Sequence, residues 1–244
     1  MADERSNPEK TLAALEESRR DLESLTYTIA HDLRAPLRTI DGFAHALIED
    51  CGERLDDDGR RYLQHVLTAA QRMSGMLEGL LSLARIDRAD FHPAAVDLSS
   101  IGRDILDRLR AAEPARAIEV VIPDGITAEA DPALLTTALD ALLQNACKFT
   151  RGRGPARIEV GMQSTTTPPV YFVRDNGAGF DMSHAGKLFG PFQRLHSERE
   201  FEGVGIGLAV ASRVIRRHGG RIWAEAEADR GACFQFTLAE GAHA

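Results

Sequence analysis

The sequence predicts a helical segment followed by an α/β domain: a long helical hairpin that pairs with a second copy into a dimeric four-helix bundle, then an α/β sandwich. Two observations carry this. Apolar residues recur every three or four positions up to about residue 90, and after that short β-type runs alternate with helical ones.

In the first helix, over 8–50, Leu22, Leu25, Ile29, Leu33, Leu37, Ile40, Ala44 and Leu47 fall on one face, with Ile29 at the centre of the expected buried stripe. At 1.5 Å per residue the helix would be about 60 Å long. The polar loop "CGERLDDDG" separates it from a second run, Tyr62, Leu63, Val66, Leu67, Ala70, Met73, Leu77, Leu80, Leu81 and Ala84. Two helices joined by a short loop cannot bury both stripes against each other, so a homodimer is expected. Leu12, Leu15 and Leu22 extend a heptad-like seam toward the start, which predicts a coiled coil over 1–25 and an upstream sensor domain or partner in front of it. The hairpin proper is expected over 26–90.

The segment "RIDRADFHPAAVDLSS" reads as a linker with a turn at Ser99 and Ser100, and the α/β domain is expected over 91–244. Strands are expected at 117–122, 156–161, 170–175, 220–227 and 232–238, and helices at 98–112, 132–149 and 205–218. Asp131 and Pro132 suit the cap and first turn of the middle helix, and Gly219-Gly220 the end of the last.

A net charge of −8 without a clustered basic face excludes the footprint of a nucleic-acid binder. Cys51, Cys147 and Cys233 are odd in number and lack metal spacing, which reads as reduced thiols in a cytoplasmic protein. No apolar run is long enough to span a membrane.

Within "TIAHDLRAPL", His31 points about 200° from Ile29, with Arg34 and Arg38 on the same outward face. An outward helical histidine is commonly a solvated surface residue, and His45 and His65 also face outward. His31 differs in having Asp32 beside it, able to hold the proton of one ring nitrogen while the other attacks. Pro36, which cannot bond the carbonyl of Asp32, is expected to soften the helix just after the histidine.

Three motifs in the second half suit a nucleotide. In "LDALLQNACKFT", Asn145 and Lys148 share a helix face and offer an amide oxygen beside a cation, a combination suited to Mg²⁺ and triphosphate. In "RDNGAGFD", Asp175 ends a strand and precedes two glycines that admit a flat ligand such as adenine. In "GVGIGLAV", alternate glycines enter a helix and free backbone N–H groups for phosphate. It is not a dinucleotide fingerprint, because charged "HSEREFE" precedes it instead of a strand.

Taken together, these stretches resemble the sensor histidine kinases of two-component systems. "IAHDLRAPL" resembles the phosphoacceptor box, "LLQNACKFT" the N box, "DNGAGFD" and "GVGIGLA" the two glycine boxes and "LFGPFQRLH" the F box between them; the wording is most similar to phytochrome-type kinases. The resemblance implies a phosphotransfer hairpin and an ATP-binding α/β sandwich of the type shared with gyrase. It makes His31 the phosphoacceptor, Asp32 the base and Asn145 the Mg²⁺ ligand. Lys148 would touch phosphate and Asp175 the adenine amino group. Gly177, Gly179, Gly203, Gly205 and Gly207 would shape the nucleotide loops. Phe189 and Phe192 would anchor the lid, a role that plain packing explains equally well, and Arg194 would approach the γ-phosphate. The implied partner is a response regulator receiver domain.

Three positions depart from the family pattern. Ala141 stands where a first asparagine is usual, and Val204 where a small polar residue is, which predicts weakened nucleotide binding. Ala35 stands where a Thr or Asn positions water in members that dephosphorylate their regulators, which predicts poor phosphatase activity. Two rival readings remain at this level: a pseudokinase scaffold that binds a regulator without phosphorylating itself, and an ATP-driven clamp, for which Asp140 is the nearest candidate base.

Overall fold

A computed structural model describes residues 8–152, 154–197 and 200–239. Residues 1–7, on which the start of the expected coiled coil falls, lie outside the described residues, as do the side chains of Leu12, Leu15 and Leu22. The chain divides into two compact units, Met1–Arg85 and Ile86–Ala244.

The first unit holds helix α1 (Pro8–Cys51), a single 3₁₀ turn (Gly52–Arg54) and most of helix α2 (Asp57–Arg88). Helix α1 is continuous through Pro36, whose ring is exposed and so clears the packed side. Ala30 and Leu37 pack with Leu77 and Leu81, and Ala44, Leu67, Ala70 and Ala84 are also buried. The buried line therefore runs through Ala30, about 100° round the helix from the expected Ile29. The small residues Ala30, Ala44 and Ala70 are among the buried ones. The larger Leu25, Ile29, Leu33, Ile40 and Leu47 stay exposed, together with Tyr62, Val66 and Met73 of α2. Half of the apolar face is thus uncovered within the chain.

The second unit is an α/β structure built on a mixed sheet. Its strands are β1 (Ala94–Asp97), β2 (Ile118–Val121), β3 (Thr127–Ala130), β4 (Ala156–Gln163), β5 (Val170–Asp175), β6 (Ile222–Glu227) and β7 (Gly231–Phe236). Five of them form one sheet in the order β2-β4-β5-β7-β6, antiparallel except for β2 against β4. Helices α3 (Leu98–Ala112) and α5 (Gly207–Arg217) flank α4 (Pro132–Phe149), which also packs on β4 and β5. Leu135, Leu139, Leu142 and Leu143 of α4 are fully buried against Ile158, Val160 and Val173 of the sheet layer.

The expected linker is not all loop. Helix α2 runs to Arg88, and Ala94–Asp97 pairs antiparallel with β3 in a separate two-stranded sheet. Ser99 and Ser100 sit in the first turn of α3 rather than in a connecting turn, where Asp97 caps the helix by accepting from Ser100 N at 3.1 Å. Buried Ser99 donates to Pro123 O (2.8 Å) and accepts from Ile126 N (3.0 Å), so it belongs to the packing. At α4 the expected cap is present: Asp131 accepts from Ala133 N and Leu134 N at 3.1 and 3.0 Å.

Candidate functional site

In the helical unit, His31 Nδ1 lies 3.2 Å from Asp32 Oδ1, with the two side chains 66% and 70% exposed. A carboxylate only accepts, so Nδ1 carries the proton of the neutral ring and Nε2 keeps its lone pair. His45 differs: its Nδ1 donates back to Asp41 O at 2.9 Å, tying the ring to its own helical turn. Two turns beyond His31, the hydroxyl of Thr39 donates to the carbonyl of Ala35 at 3.1 Å and is held on the backbone.

In the α/β unit, Asp175 ends β5 at 5% exposure and accepts from Gly177 N at 2.8 Å and from the Ala232 amide. Burial pushes its carboxyl up to about 6, against those two amides. A hydrogen-bond acceptor in a dry pocket suits an uncharged N–H donor, the chemistry of an adenine amino group. Glycine is required beside it: a Cβ at Gly177 would stand 2.5 Å from Phe149 O, and Gly179 has φ +57°. The Ala178 amide donates to Phe149 O at 3.0 Å, so the last residue of α4 holds this loop.

The same end of α4 faces the second glycine loop. Lys148 Nζ stands 3.6 Å from where a Cβ of Gly203 would be and 4.3 Å from the Phe149 ring centroid. Burial first, then Arg194, lower the Lys148 pKa, while Glu202 opposes them. Arg194 donates to Gly203 O (2.6 Å) and Phe201 O (2.7 Å). Phe192, with φ +62°, donates its amide to Gly205 O at 2.9 Å. Two cations and a glycine loop thus converge on one spot, an arrangement that draws phosphate.

The remaining expected residues are less tightly specified. Asn145 is half-buried on α4, one turn before Lys148. Phe189 is half-buried, while its neighbour Leu188 is the buried one. Gly207 opens α5 with ordinary room for a Cβ, 3.8 Å from Ala141 Cβ, so no neighbouring atom demands glycine there. That contact also puts Ala141 against the start of α5. Val204 is half-buried in the second glycine loop.

Asp140 does not serve as a free base. Its two carboxylate oxygens are taken by Arg108 and by Gln144 Nε2 (2.6 Å). Sequence reasoning missed the aromatic group formed by Phe149, His196 and Phe201, whose centroids lie 4.8–5.2 Å apart. Phe149 directly after Lys148 was the available signal; the other two are distant in sequence. No group of three His, Cys, Asp or Glu among the described residues could hold a metal by itself.

The family described as "Histidine kinase-, DNA gyrase B-, and HSP90-like ATPase" matches residues 130–242, and the "His Kinase A (phospho-acceptor) domain" matches residues 21–89. Cyanobacterial phytochrome B of Nostoc sp. (strain PCC 7120) is 34% identical over 92% of this chain and 30% of its own length. The methanogenesis regulatory histidine kinase FilI of Methanothrix harundinacea is 35% identical over 94% of this chain and 26% of its own. The chain therefore spans less than a third of these two relatives. Full-length ShkA, crystallised in complex with AMPPNP, superposes with a TM-score of 0.59 at 23% identity, over 89% of this chain and 47% of ShkA; that likeness concerns the fold.

Proposed function

Because the chain belongs to the sensor histidine kinase family, we propose that it phosphorylates its own His31 from Mg-ATP and passes the phosphoryl group to an aspartate of a separate response regulator. The observation that carries this reading is the pairing, in one chain, of an exposed His31–Asp32 dyad with a buried carboxylate beside a glycine loop.

Asp175 accepts from the adenine amino group, while Lys148 and Arg194 face the phosphates. Asn145 offers one amide oxygen, a donor set that suits Mg²⁺ because this ion takes its other ligands from substrate phosphates and water. The ion, when bound, neutralises charge on the phosphates. Nε2 of His31 attacks the γ-phosphorus in line, an N–P bond forms as the bond to ADP breaks, and the Nδ1 proton passes to Asp32. The His31 side chain is 66% exposed, and that exposure also leaves the phosphohistidine open to a receiver domain. ShkA is described with AMPPNP, and the same nucleotide class is the expected ligand here. We place the reaction in the cytoplasm, where ATP and reduced thiols such as Cys51, Cys147 and Cys233 coexist. No helix among the described residues is long and apolar enough to cross a membrane. The apolar face left exposed on α1 and α2 fits a second copy of the hairpin.

The test is incubation with Mg²⁺ and γ-labelled ATP, with His31→Ala in parallel. The expected label is lost in acid, survives base and is absent from the variant, while nucleotide binding persists in both. Nucleotide binding by the wild type without any label would refute the phosphoacceptor role.

A further inference from the structure

Four backbone groups of the first glycine loop have assigned partners. Gly177 N donates to Asp175, Ala178 N donates to Phe149 O, and Ala178 O accepts from Asp229 N at 2.7 Å. Gly179 O accepts from Nε2 of His196 at 2.8 Å. The first three partners lie at the end of β5, on α4 and in the turn between β6 and β7. The fourth comes from the stretch between the two glycine loops, which the second-half motifs leave without a role at this residue.

Because a carbonyl oxygen accepts only, Nε2 of His196 carries the proton in this bond. The ring is held on two sides: its centroid lies 5.2 Å from that of Phe149, tilted by 39°, and 5.2 Å from that of Phe201, at 68°. Phe149 and Phe201 in turn meet edge to face at 4.8 Å. Phe201 O accepts from Arg194, which also bonds Gly203 O in the second glycine loop. His196 thus sits where the end of α4, the first glycine loop and the Arg194-bound stretch come together.

We infer that His196 is a positioning residue for the nucleotide: through the bond to Gly179 O it holds the first glycine loop, and with it the Gly177 amide that orients Asp175, in the binding conformation before ATP arrives. The inference rests on the nucleotide reading of Asp175. Without the bond the loop must be ordered at the expense of binding energy, so the loss is felt in affinity rather than in the chemical step. His196 touches no reacting atom.

The experiment uses the whole chain and three variants. His196→Ala removes ring and donor, His196→Phe keeps the ring without the donor, and His196→Gln keeps a terminal N–H without the ring. Two quantities are read: hydrogen–deuterium exchange over residues 176–180 without nucleotide, and the Kd and KM for ATP beside kcat for His31 labelling. Exchange over this loop is expected to accelerate in the Ala and Phe variants, with Kd and KM about five- to ten-fold higher and kcat unchanged. His196→Gln is expected to recover most of both. A Phe variant that behaves as the wild type would reduce His196 to packing, and a kcat loss at unchanged KM would equally overturn the inference. Wild-type binding is measured first: a chain that binds no ATP refutes the nucleotide reading itself, whereas tight wild-type binding with unaltered variants refutes the role of His196 alone.

Discussion

In the helical unit the side chain proposed to react stands 66% exposed beside a carboxylate 70% exposed, whereas in the α/β unit the residue proposed to recognise is buried and its carboxylate bonded to amides. The contrast follows from what each must do. A nucleophile that is loaded by one partner and unloaded by another needs open approach, and water around it costs nothing between visits. A carboxylate that must read one uncharged N–H gains strength from a dry site, where a hydrogen bond is not competed away. One unit is built for access and the other for preorganisation, and the substitutions below test that division.

The largest effect is expected at Asp175. Its folded pKa is raised, so the carboxyl contributes stability that is present below its ordinary pKa of about 3.9 and lost as pH rises through about 6. At pH 7 the buried charge therefore costs stability, on the order of 2–3 kcal/mol. Asp175→Asn should raise the melting temperature of the nucleotide-free chain while weakening ATP binding by about one to two orders of magnitude. In the wild type, ATP affinity should fall as pH drops below about 6, because the protonated carboxyl no longer accepts freely. A variant that is both less stable and still competent for ATP would break the comparison at its buried end.

At the exposed end, Ile40→Glu places a charge on the uncovered apolar face without disturbing the buried Ala30–Leu37–Leu77–Leu81 contact. Sedimentation should show the variant shifting from dimer toward monomer, with helix content retained at high protein concentration. Unchanged association would mean that this face is not the seam.

His218 offers a smaller and opposite pH effect. Its Nδ1 donates to Val214 O (2.8 Å) and its Nε2 accepts from Asp131 N (3.0 Å), which only the neutral ring can do. Burial lowers its pKa, so the stability it contributes is present above its ordinary value of about 6.5 and is lost as pH falls below that. Thermal melts of His218→Gln should show less loss of stability on acidification than the wild type between pH 6.5 and 5; parallel curves would assign the slope elsewhere.

The smallest effect is expected from Ala35→Thr. Position 35, one turn after His31, carries only a methyl group, and the Thr39 hydroxyl is held on the Ala35 carbonyl. The substitution should raise dephosphorylation of a phosphorylated receiver domain by a few-fold at most, measured without ATP.

How much of this the sequence revealed also divides between the units. Helices at 98–112 and 132–149 were legible because Asp131-Pro132 starts the second of them and periodic leucines run through both. The pair β1 and β3 was not, since Ala-Ala-Val-Asp and Thr-Ala-Glu-Ala have little strand preference and acquire it only from each other. Asp175, Lys148 and the glycines could be picked out from local motifs. The bond from His196 to Gly179 could not, because it spans a chain reversal that no local pattern encodes. On α1 the centre of the buried line fell on Ala30 rather than Ile29, while Leu37 and Ala44 and the α2 residues Leu67, Ala70, Leu77, Leu81 and Ala84 lie buried as expected; periodicity marks an apolar stripe but does not say which part of it the chain itself covers.

The proposed dimer has a consequence for dosage. If the hairpin completes its core with a second copy, it draws part of its folding free energy from association, and its stability varies with the amount of chain present. Lowering the abundance of the chain would then remove more than a proportional share of its folded form, and the level of expression would become a setting on the signal itself.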